Sequence, residues 1–200
     1  MKVIIIGGFL GSGKTTAIQS LGKYFAQLGK TVAVLVNEAG VVDIGGDLFG
    51  YDIPTKEVTM ACVTCNLKAA ITTSVVQLVE KAHPDILFIE PKESVSPLVV
   101  REELRLAQIK PDGEEYDFAP LITFVDCSRF FKNVKEKKKM TFDQIQVSEV
   151  VVLNKTDLVD VNTLGMIRES VLQINPKAVV LINADQGGIV SNEILKIIGV

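Results

Sequence analysis

The chain is poor in the residues from which several functional classes are built. It has three cysteines in 200 residues, and an odd, sparse set makes no disulfide framework. His83 is its single histidine. It precedes Pro84 at a helix end, where helix capping is the natural role and metal ligation is not. No apolar run approaches the ~20 residues needed to span a bilayer. The apolar opening is too short for a secretory signal and runs straight into a glycine-rich loop with no cleavage pattern. Internal repeats, low-complexity blocks and linkers are absent from the sequence. A net charge of −3 gives no reason to bind nucleic acid or an acidic membrane. The run Lys135-Glu136-Lys137-Lys138-Lys139 is a local exception, read as a solvated helix end or loop.

What is present is a core. The chain is 48% hydrophobic and 22% charged, the balance of a globular domain, and residues 1–200 suit one domain. Strand and helix patterns alternate. Lys2 to Ile6, Thr31 to Val36, Asp85 to Ile89, Leu121 to Val125, Val150 to Leu153 and Ala178 to Ile182 are short apolar runs rich in β-branched residues. Between them Thr16 to Leu28, Leu67 to Ala82, Leu98 to Gln108, Phe142 to Val147, Val161 to Ile174 and Ile189 to Ile198 carry helical periodicity. Asn37 to Tyr51 and Lys110 to Tyr116 read as loops. This alternation predicts an α/β fold, a three-layer, mostly parallel sheet with helices on both faces. The patterns do not give the strand order.

Gly8-Phe9-Leu10-Gly11-Ser12-Gly13-Lys14-Thr15 fits G-x-x-x-x-G-K-[ST], the phosphate-binding loop (P-loop). Its glycines let successive N–H groups turn inward toward phosphate oxygens. Lys14 reaches the β- and γ-phosphates, and the Thr15 hydroxyl ligates Mg²⁺. A strand precedes the motif and a helix beginning near Thr16 follows it, so the helix aims its positive end at the phosphates. Gly8, Gly11, Ser12, Gly13, Lys14, Thr15 and Thr16 are therefore the expected phosphate contacts.

Asn154-Lys155-Thr156-Asp157 follows the strand at residues 150–153. A carboxylate at Asp157 accepts two hydrogen bonds from the ring N–H and exocyclic amine of guanine. Adenine offers no such pair, so a site built on that carboxylate rejects it. Lys155 would lie along the base, and Asn154 would tie this loop back to the phosphate loop. Ala184, after the last strand, could give a backbone N–H to the guanine carbonyl. Glu38, Asp43 and Glu90 are carboxylates at or after strand ends, where open α/β sheets bind ligands. They are candidates to hold Mg²⁺ or orient a water. Nucleotide use and free thiols together point to the cytoplasm.

With these motifs placed, the chain resembles the CobW/HypB/UreG group of P-loop GTPases over nearly all its length, corresponding to their nucleotide-binding domain only. Gly8 to Thr16 (GFLGSGKTT) is similar to the CobW opening. Val36 to Gly46 (VNEAGVVDIGG) resembles its N-E-x-G segment with a downstream Asp. Asp85 to Pro97 falls where the group has E-x-x-G, and Val125-Asp126 and Asn154 to Leu158 also fall in place. The resemblance implies a GTP hydrolase of low intrinsic turnover that binds GTP, GDP and Mg²⁺. Lys14, Glu38 and Glu90 would be catalytic, and Thr15, Glu38 and Asp43 would serve the Mg²⁺ site. It also implies nucleotide-dependent homodimers and a metallochaperone role, delivering a metal or metal-containing cofactor to a client metalloenzyme or corrinoid protein.

The chain departs from the group pattern in three ways, one being an expected lack of room after the last strand for the C-terminal domain that many CobW-like proteins carry. Glu93 stands where the group has the glycine whose N–H meets the γ-phosphate, and an acidic side chain there crowds or repels phosphate. The C-x-C-C segment becomes Cys62-Val63-Thr64-Cys65, a C-x-x-C pair spaced to hold one soft ion such as Zn²⁺, Ni²⁺ or Co²⁺. Further ligands could come from Glu38, water or a second subunit. The competing reading is a GTP-switched chaperone or gate whose cysteines are structural, such as a zinc staple. An ATP-dependent kinase or transferase is a third. Phe9 counts against that one, because deviant P-loop ATPases carry a lysine there. Cys127 reads as core.

Overall fold

The computed structural model describes residues 1–36, 55–57, 67–106, 116–183 and 192–199. In chain order the elements are β1 (Lys2–Gly8), α1 (Lys14–Gln27), β2 (Val32–Val36), β3 (Thr55–Glu57), α2 (Leu67–Ala82), β4 (Ile86–Glu90), α3 (Pro97–Leu106), β5 (Asp117–Phe118), β6 (Ile122–Asp126), α4 (Phe130–Glu136), α5 (Lys138–Val147), β7 (Val150–Asn154), α6 (Val161–Ile174), β8 (Val179–Ile182) and α7 (Asn192–Ile198). Seven strands lie in the order β3-β2-β4-β1-β6-β7-β8, with the two-residue β5 pairing with β1. Every pairing among the described residues is parallel.

The central strands are mainly apolar because both of their faces are covered. All five residues of β2, β4, β6 and β7 are buried. Alternate side chains go to opposite layers. Ile4 and Ile6 of β1 pack with Ile18, Leu21 and Phe25 of α1 and with Ile194 and Ile198 of α7. Val3 and Ile5 pack with Ile71, Val75 and Leu78 of α2 and with Val100 and Leu104 of α3. Farther along the sheet, Val151 and Leu153 of β7 meet Ile145 of α5 and Ile167 and Val171 of α6. Strand β8 closes one edge and is only partly covered.

This topology positions the site. The order reverses at β1, with β4 on one side and β6 on the other, and ligands bind beyond the carboxyl ends of strands at such a switch point. Registers Val36↔Glu90 and Asp126↔Asn154 bring those carboxyl ends level. The loop after β1 therefore opens beside Glu90, Asp126 and Asn154.

The sequence-predicted elements are present, with three additions and one change. The predicted short helix at 142–147 is longer, covering Lys138–Val147, and α4 precedes it. Lys137, at φ −126° and ψ 38°, breaks the two apart. Strand β3 is a polar three-residue segment and β5 has only two residues, both too short for any periodicity to register. Both predicted loops lie outside the described residues, apart from the last residue of the second, Tyr116, which is buried. His83 ends α2 at φ 42° and donates its N–H to Val79 O at 2.8 Å. Cys127 is 2% exposed, and burial, with the Asp126 charge beside it, pushes its thiol up to about 11.

A buried amide secures the approach to β7. Asn175 follows α6, and its Nδ2 donates to Ile145 O at 2.9 Å and Ser148 O at 2.7 Å. Those carbonyls flank the turn between α5 and β7. Ile145 O also accepts from Ser148 N–H, but removing the donor takes away the Asn175 bond to the buried Ser148 O, at about 1–3 kcal/mol. Asn175→Ala should lower unfolding free energy by about that amount in a urea titration, with the denaturant slope unchanged.

Candidate functional site

The loop between β1 and α1 has three glycines with positive φ: Gly8 at 135°, Gly11 at 75° and Gly13 at 101°. Two of them also sit against other segments. A Cβ on Gly8 would lie 2.5 Å from the backbone oxygen of Phe124 on β6, and one on Gly13 would overlap Asn154 Nδ2. The sequence therefore folds here only with glycine. Ser12 N–H donates to Phe9 O at 3.0 Å, and Ala17 N–H donates to Gly13 O at 2.9 Å, starting α1. The result is a turn whose amides can converge on an anion.

Lys14 is buried, its Nζ donating to Phe9 O at 3.1 Å and lying 3.5 Å from Glu90 Oε1. Glu90 ends β4 and is also buried. Its two carboxylate oxygens accept from Thr15 Oγ1 at 3.1 and 2.9 Å. A hydroxyl and a carboxylate in contact beside the phosphate loop make an all-oxygen donor set, which suits a hard cation such as Mg²⁺. The residues present fit the ion the motif implies.

The Asn154 segment meets the same loop. Asn154 Nδ2 donates to Ser12 O at 2.8 Å, while its Oδ1 accepts from Asn183 Nδ2 at 2.8 Å. Thr156 Oγ1 donates to Asn183 O at 3.1 Å. Lys155 takes a left-handed conformation, φ 59°, and its Nζ donates to Asp126 Oδ2 at 2.7 Å. Asp126 ends β6, and its Oδ1 accepts from the N–H and Oγ of Ser128 at 2.9 and 2.6 Å. Burial pushes the Asp126 carboxyl up, but the hydrogen bonds from Lys155 and Ser128 outweigh that and hold it below the usual range. Asp157 lies exposed in a short 3₁₀ turn just after.

The structure thus gathers Gly8, Gly11, Ser12, Gly13, Lys14, Thr15, Glu90, Asn154 and Lys155 at one end of the sheet, with Asp157 beside them. Thr16, in the first turn of α1, is exposed. Glu38, Asp43, Cys62, Cys65 and Ala184 lie outside the described residues. Among the described residues no group of three or more His, Cys, Asp and Glu side chains could hold a metal ion. No helix among them is long and apolar enough to cross a membrane.

Two cations escaped the sequence reading. Arg129, just after Asp126 and Ser128, places one guanidinium nitrogen 3.6 Å from where a Cβ on Gly11 would stand. The Asp126–Ser128 spacing, a helix N-cap pattern, was a usable signal for that turn. The second is Lys137, from the run expected to be solvated. Its Nζ donates to Glu93 Oε1 at 2.7 Å and lies 5.3 Å from the Phe9 ring centroid. Glu93 Oε2 in turn accepts from Leu10 N–H at 3.3 Å. The Lys137 hydrogen bond, the largest influence, holds the Glu93 carboxyl below its ordinary value, with burial opposing. Glu93 therefore meets the phosphate loop as a paired anion.

The geometry accords with what the chain is similar to. It is 28% identical over 192 residues to the zinc-regulated GTPase metalloprotein activator 1 of Schizosaccharomyces pombe, covering 88% of this chain and 44% of that protein. It is 31% identical over 155 residues to the zinc chaperone YeiR of Escherichia coli, covering 76% and 46%. The chain thus spans about half the length of the curated relatives it matches. The solved structure of Zn(II)-bound YjiA GTPase from Escherichia coli superposes with a TM-score of 0.65 at 19% identity, covering 98% of this chain and 60% of that one. A sequence model of the CobW/HypB/UreG nucleotide-binding domain matches residues 2–182, and the chain belongs to that family.

Proposed function

We propose that residues 1–200 form one GTPase domain that binds GTP with Mg²⁺, hydrolyses it, and couples the cycle to handling a transition metal for a client enzyme. The observation that carries the reading is the Asn154 amide, joined at once to Ser12 of the phosphate loop and to Asn183. That contact sets a base-reading loop at a fixed distance from a phosphate-reading loop, as recognition of one nucleotide requires.

Each residue then has a task. Main-chain N–H groups from Gly8 to Thr15, with Thr16 at the start of α1, surround the phosphates. Lys14, now resting on Phe9 O and Glu90, turns its charge to the β- and γ-phosphates. Thr15 and Glu90, with Glu38 and Asp43, would hold Mg²⁺, which when bound neutralises charge on the phosphate oxygens. Glu38 and Glu90 are also the groups suited to orient the attacking water. Asn154 fixes the loop, Lys155 lies along the base, Asp157 accepts from guanine, and Ala184 N–H serves its carbonyl. Intrinsic turnover is low.

Cys62 and Cys65 are the proposed transition-metal ligands, for Zn²⁺ first and Ni²⁺ or Co²⁺ as alternatives. The names of the relatives, a zinc chaperone and a zinc-regulated activator, support zinc. The protein works in the cytoplasm as a nucleotide-dependent homodimer. Its partner is a metalloenzyme or corrinoid protein, and it has neither a nucleic-acid partner nor a membrane one.

Calorimetry with Mg²⁺ tests the nucleotide site. Wild type should bind GDP and not ADP, and Asp157→Asn should weaken GDP by about tenfold or more. Equal binding of ADP and GDP overturns the reading. Zinc titration with GDP and with a GTP analogue tests the metal role. Affinity should differ between the two nucleotides and vanish in a Cys62→Ala/Cys65→Ala variant. Tight zinc binding indifferent to nucleotide would instead mark a structural staple.

A further inference from the structure

The carboxylate of Glu93 occupies a place built for an anion. One oxygen accepts from Leu10 N–H inside the phosphate loop, and the other accepts from Lys137 Nζ. The backbone at this position is held too, because Gln144 Nε2 donates to the main-chain Glu93 O at 2.5 Å. Lys137 is itself placed by contacts other than Glu93. It sits at the break between α4 and α5, its ammonium lies over the Phe9 ring, and its carbonyl accepts from Thr141 Oγ1 at 3.1 Å. The loop amide and the ammonium are thus both in position, and a carboxylate of the chain bridges them.

We propose that Leu10 N–H and Lys137 form the terminal-phosphate subsite of the nucleotide pocket, and that Glu93 is a built-in placeholder which a triphosphate must displace. The inference rests on the GTP-binding reading above. Phosphate oxygens and carboxylate oxygens seek the same donors, and a terminal phosphate carries more charge than one carboxylate, so it competes well for an ammonium. A diphosphate ends one phosphate short of the subsite and leaves Glu93 where it is. Lys137 therefore discriminates triphosphate from diphosphate, and Glu93 lowers the affinity for triphosphate alone. Displacing Glu93 releases its carboxylate from Leu10 N–H and Lys137 while Gln144 keeps the backbone in place, so the swap is a local rearrangement that only a triphosphate causes.

The test compares GDP and a non-hydrolysable GTP analogue, with Mg²⁺ present, by calorimetry on the full chain and three variants. Lys137→Ala should weaken the analogue about tenfold and leave GDP within about twofold, while Lys137→Arg keeps most of the affinity. Glu93→Gln should tighten the analogue about tenfold with GDP unchanged, because the competing charge is gone. Thermal unfolding of each variant establishes that it is folded, and Glu93→Gln carries the comparison if the alanine variant is not. A chain that binds GDP but whose analogue-to-GDP ratio is the same in every variant overturns the subsite alone. One that binds neither nucleotide overturns the nucleotide-site reading, and the subsite with it.

Discussion

One side-chain amide, that of Asn154, holds together two segments that lie 142 positions apart in sequence. On one side of it is the carbonyl of Ser12, in the turn that would wrap phosphates. On the other is Asn183, at the end of the last strand. Burial makes the contact strict, since a buried amide left unpaired is costly. It also explains why Gly13 has no substitute. Any Cβ there would occupy the space that Asn154 Nδ2 fills, so the phosphate loop and the Asn154 loop constrain each other's sequence directly.

The parallel sheet makes this contact possible. Strands buried on both faces cannot slip in register without exposing apolar side chains. Their carboxyl ends are therefore fixed in a plane, and loops leaving them inherit that precision. Glu90, Asp126 and Asn154 are all last residues of strands. Each turns a polar group toward the same edge while the rest of its strand supplies the core. The acidic groups there are matched locally: Glu90 by Lys14 and Thr15, Asp126 by Lys155 and Ser128, Glu93 by Lys137 and Leu10 N–H.

Much of this was legible in the chain before any coordinates. Apolar runs fix the strands because burial on both faces leaves them no alternative, and the glycine pattern before Lys14 marks the phosphate loop. The Asn154 link to the phosphate loop was legible because an Asn-Lys-x-Asp run directly after a strand places its first amide beside that loop. What escaped was set by distance rather than pattern. Lys137 looks like one of several lysines in a charged run, and only the packing of α4 and α5 beside the phosphate loop separates it from its neighbours. Arg129 is similar: its place over Gly11 follows from the turn after Asp126. Strand order was also hidden, since identical-looking strands carry no label of their neighbours. Glu93 was recognised as unusual, but its partner could not be read from spacing.

Cys127 carries a quieter consequence. Soft ions are captured by the deprotonated sulfur, and a thiol with a pKa near 11 stays protonated at neutral pH. This sulfur, buried next to Asp126, is a poor nucleophile and a poor ligand in that state. If the domain handles a soft metal, as proposed, Cys127 is not where it would be held.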